Sequence, residues 1–367
     1  MFIQITVENE LNAYTVFETL NSRGVELTST DLLKNYLFSL VAISQSDLKQ
    51  VKDQWKKIID IVGLKEFPNF LRYYLIATRK TISKEYLYKE IKNFVVSGQE
   101  VFELLESLQS YAYHYVALGN PDDDLWSADK ELRSFVNLLK VFRVIQWKPL
   151  AMVAVEKYGL DSSEFKRMMR SLVALTFRYN VISKLQTNEM EKVFSRAAIN
   201  LFKGESATIN AVLMDLKPLY VQDEDFKSYF SVKQFNTNNP TEKKLLRYTL
   251  YKLESQEANG HEYDFETDNG TLEDILPESY PESWQDSFSE DEYERNVYMI
   301  GNMTLLESVK NSKEAADKVF DDKLIIYASS KFSITSSISA SEWTPQTVKT
   351  RQAHLAKIAC GTWKIQF

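Results

Sequence analysis

Two clusters of residues in this sequence have the types and spacing that chemistry needs. The first is Phe17, Glu18, Thr19, Leu20, Asn21, Ser22, Arg23 and Gly24, followed by Leu27 and by Asp31, Leu32, Leu33 and Lys34. A polar turn that ends in glycine, carries an arginine and leads into a helix N-terminus presents backbone amides and a guanidinium to a phosphate. The same pattern also serves as a plain helix stop ahead of a capped helix, so both readings stand at this point. The second cluster is Thr271, Leu272, Glu273, Asp274, Ile275, Leu276 and Pro277, then Ile300, Gly301, Asn302, Met303, Thr304, Leu305 and Leu306, then Asn311, Phe320 and Lys323. Adjacent carboxylates on a short strand, an asparagine at a glycine turn 28 residues after Asp274, and a further asparagine offer hard oxygen ligands of the kind magnesium or manganese takes. A cation held there would stabilise the leaving oxygen of a phosphodiester while a neighbouring base deprotonates the attacking water. Acidic residues and asparagines also make caps and turns, and the spacing does not separate that use from metal binding.

The elements that must position these clusters are read from apolar spacing. Residues 3–7 read as a short strand, and 13–20 as a helix that ends at the glycine turn. Thr28 and Asp31 can both accept from the orphan amides of the next helix, which carries Leu32, Leu33, Tyr36, Leu37 and Leu40. Apolar residues three and four apart then predict helices over 51–62, 70–78, 84–95 and 101–118, a turn over 119–124, and further helices over 132–145, 150–158, 163–185 and 188–201. Aromatic residues within these helices, such as Tyr111, Tyr113, Tyr115, Phe177 and Tyr179, read as core rather than as a stacking platform for bases. The polar, proline-ended run Asn236, Thr237, Asn238, Asn239 and Pro240 reads as a domain boundary. The chain thus divides into 1–95, 96–235 and 236–367, and the fold class is mainly α: helical bundle regions, then an α-rich C-terminal domain.

Composition narrows the function classes. The single cysteine, Cys360, excludes an internal disulfide framework, and His114, His261 and His354 lack the close Cys or His neighbours of a zinc finger. Neither a secretory leader nor an apolar run of roughly 18 residues is present, which points to the cytoplasm and away from a membrane. The net charge of −7 is local: residues 264–294 hold twelve acidic residues and no basic one, and the rest of the chain has 44 basic against 39 acidic. The acidic stretch reads as a solvated loop rather than as an electrostatic gate. Two basic stretches can meet phosphates. One is Lys166, Arg167, Arg170, Arg178, Lys184, Lys192 and Arg196; the other is Lys310, Lys313, Lys318, Lys323 and Lys331. Solvated faces of amphipathic helices are the alternative for both.

Taken in order, these motifs resemble the GmrSD-type modification-dependent restriction endonucleases, which join a ParB-like nucleotide-hydrolysing domain to a helical region and a C-terminal HNH-like nuclease domain. Residues 17–34 resemble the closing segment of the ParB-like domain. The C-terminal resemblance runs from the helix around Leu246 and Leu250 through Ile275, Leu276 and Pro277, Gly301 and Asn302, Thr304 and Leu305, Asn311, Lys323, Trp343, Thr344, Arg351 and Leu355 to Trp363. The resemblance implies a small ββα-metal-like HNH element in the last domain. It also implies DNA as partner, including modified DNA, magnesium or manganese as cofactor, and Lys323, Lys310 and Lys313 as phosphate contacts.

Two departures qualify it. The Asp-Gly-Gln-Gln-Arg-like motif of the ParB-like domain is absent, so Asn21, Arg23, Gly24, Asp31 and Lys34 form only part of a nucleotide site. Nucleotide binding is then not expected of this chain alone, and a protein partner would supply the missing half unless the chain is a fragment. The family's Glu-His-Ile-Leu-Pro reads here as Glu273, Asp274, Ile275, Leu276 and Pro277, with Asp274 in the general-base position. Carried over by position, Glu273 is the metal ligand, Asn302 orients the catalytic group and Asn311 completes the metal side. A reference carboxylate is a weaker base than imidazole by roughly 3.5 kcal/mol of proton affinity, only part of which enters the barrier. Neither His261 nor His354 has the spacing to substitute. The expectation is a DNA-directed defence protein whose nuclease is impaired, with a catalytically inactive helical regulatory or interaction subunit as the alternative.

Overall fold

The computed structural model describes residues 29–258, 260, 263–310, 315 and 318–367. The predicted strand over 3–7, the helix over 13–20, and Asn21, Arg23, Gly24, His261, Asn311 and Lys313 lie outside them. Among the described residues the fold is mainly helical, with one two-stranded sheet.

Helix α1, Ser29–Val41, carries Asp31 in its first turn. Helix α2, Gln45–Val62, starts where the Ser44 hydroxyl accepts from the Asp47 amide at 3.2 Å. It buries Leu48, Val51, Trp55, Ile58 and Val62, and this alternation of threes and fours keeps one face against the core. Helices α3, Phe67–Thr78, and α4, Leu87–Lys92, follow. Helix α5, Gly98–Ala117, opens on a capping box between Ser97 and Glu100. Helix α6, Lys130–Val141, stops short of the predicted 145, and Arg143 just beyond it adopts a left-handed φ of 57°. Helix α7, Lys148–Tyr158, has an unbroken buried run from Pro149 to Val155 and so lies inside the helical assembly.

The predicted helix over 163–185 is two structures. Helix α8 spans Ser163–Thr176 and passes into a π-helical segment, Phe177–Ile182, which apolar spacing does not announce. Helix α9, Thr187–Lys203, matches its prediction, whereas α10, Ile209–Leu216, and α11, Asp223–Ser231, were not read from sequence. At the proposed boundary, the Asn239 side chain caps helix α12, Pro240–Glu257, by accepting from Thr241 and Glu242 amides. Leu246, Tyr248, Leu250 and Leu253 of α12 belong to the same apolar cluster as Leu33, Leu75, Leu150 and Phe177, so packing passes through this capped turn without a break. Tyr111, Tyr115, Phe177 and Tyr179 are buried as expected of core aromatics, while Tyr113 is exposed.

The C-terminal part contains strand β1, Gly270–Asp274, paired antiparallel with β2, Met303–Glu307, so that Glu273 stands opposite Thr304 and Asp274 opposite Met303. Helix α13, Glu290–Asn296, lies in the long connection. After β2 come α14, Phe320–Ala328, α15, Ser333–Ser336, and α16, Pro345–Thr362. Among the described residues the chain order is thus β1, α13, β2, a short helical turn at Ser308–Lys310, and α14. A second apolar cluster, including Ile275, Leu276, Trp284, Leu306, Phe320, Tyr327 and Trp343, holds this element together.

Candidate functional site

Glu273 and Asp274 end β1, and their side chains meet different surroundings. Glu273 is 1% exposed. Its Oε1 accepts from Lys323 Nζ at 2.7 Å and from the Tyr327 hydroxyl at 2.9 Å. Lys323 and Tyr327 are four residues apart on α14 and therefore share a face, which is how one helix delivers both donors to one oxygen. Lys323 Nζ also donates to the backbone carbonyl of Asp274 at 2.7 Å. Burial pushes the Glu273 carboxyl above its ordinary range, with Lys323 opposing. Burial and the neighbouring carboxyl hold the Tyr327 phenol well above its ordinary value, so it stays protonated and donates.

Asp274 is half-buried, and its Oδ2 accepts from the Glu278 amide at 2.7 Å. Burial raises its carboxyl above the usual aspartate value, with the Glu278 amide and Lys323 opposing. The gap in basicity from imidazole is therefore smaller than the free side chain would give.

Asn302 is fully buried and its amide group is completely engaged. Its Oδ1 accepts from the Leu276 amide at 2.8 Å and from Trp343 Nε1 at 3.0 Å, while Nδ2 donates to the carbonyls of Leu276 at 3.1 Å and Val297 at 3.0 Å. Its backbone carbonyl accepts from Ile275 at 2.9 Å. Asn302 thus fixes the chain immediately after Asp274; it does not point a free polar atom at a substrate. Gly301 precedes it because a Cβ there would strike the Val348 carbonyl and the Gln352 amide of α16. The side chain of buried Gln352 accepts from the Gly301 amide and donates to the carbonyls of Phe230 at 2.7 Å and Lys233 at 3.0 Å. Arg351 grips the same turn through the carbonyls of Gly301 at 2.8 Å and Met303 at 2.7 Å.

Residues 220–358 match the family model for the C-terminal domain of GmrSD restriction endonucleases. This match begins upstream of the boundary read at 236 and takes in β1, β2, α14, Asp274 and Asn302. Over these residues the chain is similar to part of a restriction endonuclease. A search of curated proteins gave no match. No helix among the described residues is long and apolar enough to cross a membrane.

Within the segment matched to the GmrSD C-terminal domain, the structure brings Glu273, Asp274, Asn302 and Lys323 together. Lys323, expected at a phosphate, is buried and bound to Glu273 and is not presented to a ligand. Lys310 Nζ is held by Glu307 at 3.2 Å and by the Ser329 carbonyl at 2.6 Å. Among the described residues no three His, Cys, Asp or Glu side chains gather where they could hold a metal ion. Glu273 Oε1, the expected metal ligand, is bound to the Lys323 ammonium, and Asn311 lies outside the described residues.

Asp31 and Lys34 lie on α1, where the exposed Lys34 extends over the Phe38 ring at 5.8 Å. In the central basic stretch Lys166 pairs with Asp129 at 2.6 Å, Arg170 with Glu131 and Lys192 with Glu189 at 2.6 Å, and Arg178 is fully buried. The acidic stretch is partly tied down: Asp268 pairs with Lys331 at 3.1 Å and Glu266 with Lys244 at 3.0 Å. Sequence reasoning missed Tyr327 and Gln352 as members of the site. The fourth-residue spacing from Lys323 was the available signal for Tyr327, and nothing in the sequence marks Gln352.

Proposed function

We propose that this chain is a DNA-directed protein of the restriction type whose C-terminal part has an HNH-like frame with impaired cleavage. The observation that carries the reading is the antiparallel pair β1 and β2 joined to α14 through Lys323 and Tyr327, with Asp274 closing β1 and Asn302 clamping the backbone beside it. The similarity of residues 220–358 to a restriction-endonuclease domain supports DNA as the substrate class. Asp274 is the only reacting group this reading assigns, as a base of reduced strength whose Oδ2 is partly occupied by the Glu278 amide. A magnesium or manganese requirement would need Glu273 to exchange Lys323 for the cation, with Asn311 as a further oxygen ligand.

The second reading is a catalytically inactive regulatory or interaction subunit, joined to a partner that supplies the ParB-like half. The observation favouring it is that Lys166, Arg170, Lys310, Lys323 and Lys331 are all bound to acidic side chains of the chain itself.

Cleavage of plain and cytosine-modified plasmid with magnesium or manganese tests both readings. Wild type, Asp274→His and Asp274→Ala should be compared. The HNH-like reading expects Asp274→His to cut faster than wild type, within the 10²- to 10⁴-fold range of about one general base, and Asp274→Ala to be slowest. Equal silence from all three, together with DNA affinity that does not fall as salt rises, favours the regulatory reading.

A further inference from the structure

A cavity of about 290 Å³ opens beside the π-helical segment Phe177–Ile182 and the first turn of α12, and neither Asp274 nor Asn302 lines it. Phe142 and Phe235 are among its apolar walls, and its polar lining is Asn180, Lys184, Lys233 and Glu242. Lys233 is 7% exposed. Its Nζ donates to the Val181 carbonyl at 2.6 Å and lies 4.6 Å from the centre of the Phe235 ring. Among the described residues neither Lys233 nor Lys184 has a carboxylate ion-pair partner. Glu242 accepts from the Asn236 amide at 2.8 Å. A buried ammonium without a counter-ion is unfavourable, and burial pushes Lys233 down to about 8, with Lys184 acting in the same direction and Glu242 against.

The backbone adds an independent sign. Lys184 follows the π-helical segment and adopts a left-handed φ of 50°, a conformation that costs a residue with a side chain. π-Helical turns and strained residues that are not glycine collect at functional sites. Here both bring polar groups, Asn180 and Lys184, into the lining of the cavity that also holds the buried Lys233, whose Nζ is bonded to Val181 between them. The volume is at the small end for ligand pockets, and two lysines against one carboxylate leave a single positive charge to be matched.

We propose that this cavity binds a small organic anion, a carboxylate or phosphate ester on a compact apolar body, with Lys184 and Lys233 holding the charged group and Phe142 and Phe235 flanking the body. The site lies between residues from before 220 and residues of the segment similar to the restriction-endonuclease domain, so its ligand would join the two. The proposal does not rest on nuclease activity.

Titration calorimetry on the full chain, with phenyl phosphate, benzoate and uncharged benzyl alcohol as probes, tests it. At millimolar concentrations at least one anion should bind and benzyl alcohol should not. Preference between the anions then tells phosphate esters from carboxylates. Lys184→Glu, at an exposed position, should weaken anion binding by at least about tenfold, and Glu242→Gln should strengthen it. Lys233→Met should abolish it; should that variant fail to fold, the other two still decide. Absence of binding by both anions, equal binding of benzyl alcohol, or an affinity unchanged in Lys184→Glu would overturn the proposal.

Discussion

Glu273 and Lys323 are each 1% exposed and meet at 2.7 Å, although they are 50 residues apart in sequence. Two buried charges gain little over an apolar pair of the same volume, but removing one strands the other. Lys323→Met should therefore destabilise the protein by about 3–5 kcal/mol in urea unfolding, because among the described residues Glu273 would keep only the Tyr327 hydroxyl as a side-chain donor. The double variant Glu273→Gln, Lys323→Met should recover most of that loss. If the single variant unfolds at the wild-type urea concentration, the pair is not the structural lock inferred from its geometry. Both residues stood out in the sequence, yet one read as a metal ligand and the other as a phosphate contact. Residue type told that charge mattered at these positions; their meeting depends on how α14 packs on β1, which no local pattern encodes.

Asn302 shows the same limit for an element. Its glycine turn and its link to the 273–277 segment were legible, because an asparagine after glycine between apolar runs marks a tight turn. Its use as a clamp with four side-chain hydrogen bonds was not legible. Asn302→Ala would leave the Leu276 amide, two carbonyls and the Trp343 indole N–H without their partner, at about 1–3 kcal/mol for each group that stays buried. The expected result is loss of several kcal/mol and loosening of the 275–277 backbone, seen as faster amide exchange at Ile275 and Leu276. Asn302→Asp keeps the shape but loses the two donated bonds, and should fall between alanine and wild type. Unchanged exchange in the alanine variant would argue that the strand pairing alone holds this turn. Helix α5, with a clear cap and a regular buried face, was read almost to its ends, and α2 was read to its C-terminal end but without its first six residues. Helix α10 is only 8 residues long, and α11 has three acidic residues in its first turn and buries just Phe226 and Phe230, so their apolar spacing is too brief to read. The π-helical segment has a period that the helical template does not test.

Across the whole molecule, the boundary suggested at 236–240 is crossed by buried contacts. Phe177 stacks on Trp363 with ring centres 3.9 Å apart, and Trp363 Nε1 donates to the Tyr248 hydroxyl at 3.0 Å. Arg178, fully buried, donates to the carbonyls of Trp363 at 2.7 Å, Cys360 at 2.8 Å and Val221 at 2.8 Å, with its guanidinium 4.5 Å from the centres of the Tyr220 and Phe226 rings. The π-helical segment thus caps the end of α16 and fills the space between α11 and α12. A polar, proline-ended run can mark a linker or simply a well-capped helix start, and here Asn239 does the second while the core continues past it. A fragment of residues 220–367 would contain every residue matched to the restriction-endonuclease domain, yet leave three carbonyls and a tryptophan face without their partners. It should accordingly show a poorly dispersed amide spectrum and no sharp urea transition, whereas the full chain should unfold in one cooperative step. A well-dispersed fragment with its own sharp transition would instead establish that segment as an independent domain and reduce the role of Phe177 and Arg178 to docking.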